Sequence, residues 1–233
     1  MLTIDRLTSA YGRAIILRDL TLDLAEGQVL ALLGRNGAGK STTMKSIIGL
    51  VRPKAGEVRF LGDGIAGLEP WRIARRGLGY VPEERRIFTD LTVMENLDIG
   101  RQKPRPGIDP WTPERLFDLF PNLGRMRNRR GGAMSGGEQQ MLTIARTLMG
   151  NPRLILLDEP SEGLSPLIVE QMAEAIRVLK GEGLTVMLAE QNLHFAAYVA
   201  DRAAIIEQGG IIWSGPMAEL EADRAMQERY LAV

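Results

Sequence analysis

The stretch Gly34-Arg35-Asn36-Gly37-Ala38-Gly39-Lys40-Ser41, followed by Thr42, constrains this chain more than any other. It matches G-x-x-x-x-G-K-[ST] and lies between a continuous apolar run, Val29 to Leu33, and a segment with apolar residues at helical spacing, Met44/Ile47/Ile48. Gly37 and Gly39 open backbone conformations closed to residues with a Cβ, so successive N–H groups can point inward at phosphate oxygens. The helix expected to begin near Lys40 adds its positive end, worth up to ~2 kcal/mol in partly buried geometry. Lys40 is then expected to reach the β- and γ-phosphates of a nucleotide, and Ser41 to ligate Mg²⁺. Residues 34–42 form the expected nucleotide-binding set.

The remaining patterning gives an α/β fold with an antiparallel addition. Leu2/Ile4 and Leu20/Leu22/Leu24 alternate with polar residues, and Val58/Phe60 follow Gly56 in the same way, which predicts an N-terminal antiparallel sheet. Val29–Leu33, Leu154–Leu157 and Leu184–Ala189 are unbroken apolar runs of strand length, as expected where helices cover both faces of a parallel sheet. Met141/Ile144/Ala145/Leu148 and Ile168/Met172/Ile176/Leu179 predict amphipathic helices. From Val93 to about Arg130 the chain shows no strand pattern and carries Pro104, Pro106, Pro110, Pro113 and Pro121. This predicts a helical subdomain over about 85–150, inserted into the core of one domain spanning 1–233.

Two further motifs carry chemistry. Leu154-Ile155-Leu156-Leu157-Asp158-Glu159 ends a buried strand in two carboxylates, at the end of the sheet where open α/β folds bind ligands. Asp158 can hold Mg²⁺, directly or through its water, and Glu159 can polarise the water that attacks the γ-phosphate; Pro160 is expected to end the strand. Ser135-Gly136-Gly137-Glu138-Gln139-Gln140 precedes an amphipathic helix, so Ser135 is expected to cap it and the N–H groups at its start to form a second anion site.

This ordered motif set resembles the ATP-binding-cassette (ABC) transporter ATPases over nearly the whole chain. The resemblance implies a nucleotide-binding core with an N-terminal antiparallel β part and an inserted helical subdomain, ATP and Mg²⁺ as ligands, and ATP hydrolysis. It implies that Ser135, Gly136 and Gly137 contact the γ-phosphate held by another subunit, so that two chains enclose two ATPs. Tyr11 matches the aromatic residue that stacks on adenine. Two positions depart from the usual pattern. Glu83, in Val81-Pro82-Glu83-Glu84-Arg85-Arg86-Ile87-Phe88, stands where most members have glutamine, and a metal contact is expected of it. Gln191, in Glu190-Gln191-Asn192, stands where most have histidine; it donates a hydrogen bond but cannot become cationic. The sole histidine, His194, is expected one turn on in a structural role.

Pro-Glu-x-Arg-Arg-Ile-Phe, Ser-Glu-Gly-Leu-Ser-Pro and Glu-Gln-Asn, with the C-terminal Arg229-Tyr230-Leu231-Ala232-Val233, resemble the LivF-type branch, the ATPases of branched-chain and hydrophobic amino-acid importers. That resemblance implies a homodimer or, as expected here, a heterodimer with a sister ATPase, two membrane permeases, a periplasmic solute-binding protein, and a place on the cytoplasmic face of the membrane. Importers of urea, amides or aromatic acids use similar ATPases and stay open as alternatives.

Composition excludes other classes. Lys and Arg number 29 against 29 Asp and Glu, so no global field attracts nucleic acid, and no nucleic-acid partner is expected. The basic cluster Arg125, Arg127, Arg129 and Arg130 has no interleaved aromatics and reads as a solvated face or a contact with an acidic partner. A repair or translation cassette is disfavoured by the absence of a second cassette, coiled coils or zinc cysteines, and a phosphate-loop kinase would not need the Ser135 motif. There is no cysteine, and no apolar run approaches the ~20 residues that span a bilayer. The N-terminus has no basic region followed by an apolar one, so no export signal is expected.

Overall fold

The structure, a computed structural model, describes residues 1–231; Ala232 and Val233, which end the C-terminal resemblance, lie outside it. The chain opens with β1 (Leu2–Tyr11) and β2 (Ala14–Leu24), an antiparallel pair whose alternate leucines and isoleucines are buried. β3 (Val29–Leu33) leads through the Gly-rich loop into α1 (Lys40–Ile47). β4 (Ala55–Phe60) then returns to pair with β1, and the short β5 (Asp63–Gly64) pairs with β4. These four strands form the predicted N-terminal sheet, in the order β2-β1-β4-β5.

After α2 (Pro70–Arg75) and β6 (Leu78–Val81), the chain is helical: α3 (Val93–Gly100), α4 (Pro113–Leu119), α5 (Pro121–Arg125), a 3₁₀ turn (Gly131–Ala133) and α6 (Gly136–Leu148). Pro113 and Pro121 start helices, where a missing N–H costs nothing. The buried Asn96 amide ties this part to the preceding loop, exchanging hydrogen bonds at 3.0 Å with both backbone groups of Phe88. β7 (Leu154–Asp158), α7 (Pro166–Gly181), β8 (Thr185–Glu190), α8 (Leu193–Val199), β9 (Arg202–Glu207), β10 (Gly210–Pro216), α9 (Met217–Ala222) and α10 (Arg224–Tyr230) complete the order.

The second sheet has six strands in the order β10-β9-β3-β8-β7-β6, parallel except for the β10 edge. Its strands feed two hydrophobic layers. Val29, Ala31, Leu33, Ile155 and Leu157 face α6 and α7, while Leu30, Leu32, Leu154 and Leu156 face α1 and the N-terminal sheet. Burial on both faces explains why these strands read as unbroken apolar runs, each fully buried leucine contributing roughly 1.5–3 kcal/mol. β6, β9 and β10 were not predicted. β7 stops at Asp158, two residues before Pro160, because Glu159 turns into the left-handed region at φ 50°. No described helix is long and apolar enough to cross a membrane.

The strand order brings the site together. β8 lies between β3 and β7, pairing Leu33 with Glu190 and Asp158 with Ala189, so three loops leave the same edge of the sheet side by side. These are the Gly-rich loop, the acidic pair with its following turn, and Glu190-Gln191-Asn192.

Candidate active site

The loop 34–41 takes the conformation that its glycines permit. Gly37 and Gly39 have φ 78° and 118°, and a Cβ on Gly39 would lie 2.9 Å from Leu17 Cδ2. No side chain caps α1, so its first N–H groups face the cleft unpaired with any capping oxygen. Lys40 is buried, and its ammonium reaches the carbonyls of Gly34 (2.8 Å) and Arg35 (3.3 Å) and the carboxylate of Glu159 (3.0 Å). All three donors are engaged. The Ala38 N–H closes the loop on Arg35 O at 3.1 Å.

Glu159 is held from three sides. Its N–H donates to Ala189 O at 2.9 Å, its carboxylate meets Lys40, and Gln191 Nε2 donates to its two oxygens at 3.3 and 3.4 Å. The left-handed backbone turns this carboxylate away from Asp158 and over the loop. Asp158 is fully buried at the strand end. Burial raises its pKa above the ordinary carboxylate value, against the opposing pull of Ser41, Tyr80 and Lys45. Tyr80 O–H donates to Asp158 Oδ2 at 3.0 Å; Ser41 stands nearby without completing a hydrogen bond of good geometry, so Oδ1 is buried and unpartnered. Burial and the Asp158 and Glu84 charges push the Tyr80 phenol well above its usual pKa.

An open cleft of about 380 Å³ joins Tyr11, Asn36, Gly37, Gly39, Lys40, Ser41, Thr42, Glu83 and Glu159. Tyr11 is half-exposed at its rim and Glu83 is exposed on the facing loop. Gly34, Arg35 and Ala38 form the loop behind Lys40, and Gln191 enters through Glu159. Ser135, Gly136 and Gly137 do not line this cleft. They start α6, where Ser135 Oγ and the Glu138 carboxylate form a reciprocal cap: Glu138 N–H donates to Ser135 Oγ (3.4 Å) and Ser135 N–H to Glu138 Oε2 (2.7 Å). His194 is exposed on α8.

Glu190 and Tyr80 were missed by sequence reasoning. Glu190 is buried and accepts three backbone N–H groups, from Ser161 (3.0 Å), Gln191 (3.1 Å) and Asn192 (3.2 Å), clamping the turn after the acidic pair to the Gln191 loop. Burial outweighs these bonds and raises its pKa. No local spacing announces either residue, since Ser161 is 29 and Asp158 is 78 positions from its partner.

Among the described residues no three His, Cys, Asp or Glu side chains cluster as a metal cage. The donor set instead suits a hard cation sharing its ligands with phosphates, with the unpartnered Asp158 Oδ1 and the Ser41 hydroxyl as protein oxygens.

Comparison with known proteins agrees with this geometry. The family model described as ABC transporter matches residues 17–162. The high-affinity branched-chain amino acid transport ATP-binding protein BraG of Pseudomonas aeruginosa is 40% identical over 231 residues, covering 99% of each chain. The lipopolysaccharide export system ATP-binding protein LptB of Haemophilus influenzae is 36% identical over 239 residues, covering 99% of this chain and 97% of its own. Among solved structures, the dimeric post-hydrolysis state of the ATP-binding cassette MJ0796 bound to ADP and Pi superposes with a TM-score of 0.79 at 25% identity, over 93% of this chain and 99% of that one. With this fold, these motifs and these matches, the chain belongs to the ABC transporter family, as one of its ATP-binding, ATP-hydrolysing cassettes.

Proposed function

We propose that the chain binds ATP with Mg²⁺ in the cleft between the 34–42 loop, Tyr11 and Glu159, hydrolyses it as half of a two-chain sandwich, and drives an importer of branched-chain or other hydrophobic amino acids. The observation that carries the catalytic reading is the cluster of Lys40, Glu159 and Gln191 beside the uncapped start of α1. In this reading the β- and γ-phosphates take Lys40 from Glu159 and accept the loop N–H groups. Glu159, released from the ammonium and still held by Gln191, becomes the acceptor for a proton of the attacking water. Tyr11 offers its exposed ring to adenine. Mg²⁺ would neutralise charge developing on the phosphates, held by Ser41 and Asp158 with Glu83 as an additional oxygen donor. Gln191 cannot carry charge, so its contribution is to orient Glu159.

Residues 1–233 act as one cassette, with 85–150 as its helical subdomain. The cleft takes no lining from Ser135, Gly136 or Gly137, and a solved relative is a dimer. Both facts support a signature acting on the neighbouring chain's nucleotide. A second concavity, of about 580 Å³, runs between α2 and α3 and exposes Leu50, Trp71, Phe88 and Ile99. Apolar side chains of this size favour a protein partner. We assign this groove to a cytoplasmic segment of a permease, which holds the chain on the inner face of the membrane, with two permeases and a periplasmic solute-binding protein completing the machine.

The reading of amino-acid import is supported by the 40% identity to BraG and by the Pro82–Phe88, Ser161–Pro166 and Glu190–Asn192 segments. The 36% identity to LptB favours lipopolysaccharide export as a second reading. The test has two levels. Glu159→Gln, alone or mixed with a sister cassette ATPase, should retain ATP and form a stable dimer by light scattering; a monomer at high concentration in both cases refutes the shared site. Proteoliposomes holding the chain with its permeases should take up labelled leucine with ATP, and ATP-driven movement of lipid with no uptake refutes import.

A further inference from the structure

From this geometry we infer that Tyr80 is the positioning residue of the metal site: its phenol holds Asp158 Oδ2 and leaves Oδ1 available to a metal, while the same residue lines the groove assigned to the permease. The inference rests on the reading that Asp158 is a metal ligand, and it names a residue outside the motif set. β6 runs parallel to β7 with Tyr80 opposite Leu156, so a side chain as long as tyrosine can lie along the sheet and reach the carboxylate two residues further on. Among the described residues, the 3.0 Å bond is the only one of good geometry that the Asp158 side chain accepts, with Ser41 standing nearby. The last torsion of a carboxylate is soft, so a hydrogen bond to one oxygen sets where the other points. With Oδ2 occupied by a donor, Oδ1 is the oxygen that would be offered to a metal, as outer partners orient ligands in metal sites generally.

Tyr80 also lines the groove, beside Trp71, Leu78 and Phe88. Among the described residues, no other lines the groove and also bonds to the acidic pair. A partner that packs into the groove therefore presses on the residue that aims the metal ligand, a direct mechanical route of one side chain between docking surface and ATP site. A tyrosine that merely satisfied a buried acid would affect the stability of the fold, and its loss would weaken nucleotide and metal binding alike or neither.

The test uses Mn²⁺ as the probe, with its free concentration read by electron paramagnetic resonance in the presence of a non-hydrolysable ATP analogue. Tyr80→Phe keeps the ring and deletes the donor. It should weaken Mn²⁺ binding by about tenfold, the lower end of the effect of losing an outer partner because phosphates supply much of the coordination, while analogue affinity in EDTA stays unchanged. Equal Mn²⁺ affinity in Tyr80→Phe, or a parallel loss without metal, overturns the inference. Asp158→Asn separates the two layers. If it loses Mn²⁺ binding while Tyr80→Phe does not, only the role of Tyr80 fails; if Asp158→Asn binds Mn²⁺ normally, the metal reading fails and this inference with it. In the assembled transporter, the permeases should shift Mn²⁺ affinity in the wild type and not in Tyr80→Phe; an equal shift in both overturns the link to the groove.

Discussion

The buried pair between Lys40 and Glu159 makes a quantitative prediction about ATP affinity. The two groups are only 4% and 7% exposed and stand 3.0 Å apart, and the remaining Lys40 donors go to Gly34 O and Arg35 O. Removing one member of a buried pair costs about 3–5 kcal/mol. Here the two carbonyls soften the loss, so the lower end, about 3 kcal/mol, applies to Glu159→Ala without nucleotide, a fall in melting temperature of roughly 6–12 °C for a chain of this size. In the wild type, phosphates that take Lys40 must displace Glu159 and bear its like charge nearby. In Glu159→Ala they do neither. ATP should therefore bind the variant more tightly by up to about 100-fold, the factor that corresponds to roughly 2.8 kcal/mol. Glu159→Gln retains an oxygen for the ammonium and should show about a tenfold gain, as its lost charge is only part of the pairing. Calorimetry at protein concentrations below those that dimerise, with EDTA to remove the metal term, isolates the effect. A folded Glu159→Ala that binds ATP no more tightly than the wild type would refute the exchange, and with it the idea that Glu159 is released by the arriving phosphate.

Two other substitutions examine the loop between β8 and α8. Gln191→His replaces a neutral donor with one that can become cationic beside Glu159, and should raise steady-state turnover of the dimer by about three- to tenfold, the effect of roughly 0.7–1.4 kcal/mol on the barrier; an unchanged or lower rate means that the Glu190 clamp already supplies the needed order. Glu190 has a folded-state pKa raised by burial, so the folded form takes up its proton more readily than the unfolded chain. Its contribution to stability is complete below the unfolded value and lost as pH rises through the folded one. The stability of wild type relative to Glu190→Gln, from urea unfolding, should thus increase as pH falls from neutrality towards the ordinary carboxylate range, and a constant or opposite trend would mean that the three N–H bonds to the carboxylate outweigh its burial.

What was legible in the chain was whatever had a period or a fixed spacing. β1, β2 and β4 alternate because one face is buried; β3, β7 and β8 are unbroken because both faces are; α1, α6 and α7 carry apolar residues at helical spacing. The Gly-rich loop was legible because a tight anion cradle has to be built from adjacent residues, and the Ser135 cap because its partner Glu138 is three residues away. β6 escaped because Leu78-Gly79-Tyr80-Val81 offers only four residues, one of them glycine, before Pro82. β9 escaped because its alanines carry no strand preference, and its burial comes from β3 beside it. The helical part was legible only as an absence of strands, its prolines reading as interruptions although two of them begin helices.

The catalytic geometry is of a different kind. Lys40 and Glu159 meet, Gln191 reaches Glu159, and Tyr80 reaches Asp158 because β8 is threaded between β3 and β7 and β6 lies outside β7. A parallel sheet aligns the ends of its strands whatever their order along the chain, so residues far apart in sequence arrive at one edge with their side chains in reach. A motif therefore names what each loop brings, and the strand order decides which loops meet. The same logic accounts for the residues left out of the cleft. α6 starts from the helical part, and Ser135, Gly136 and Gly137 do not line the cleft that holds Lys40. On the proposed reading a second copy or a sister chain supplies them, and for that reason the dimerisation of Glu159→Gln bears more directly on the mechanism than any rate measured on the monomer.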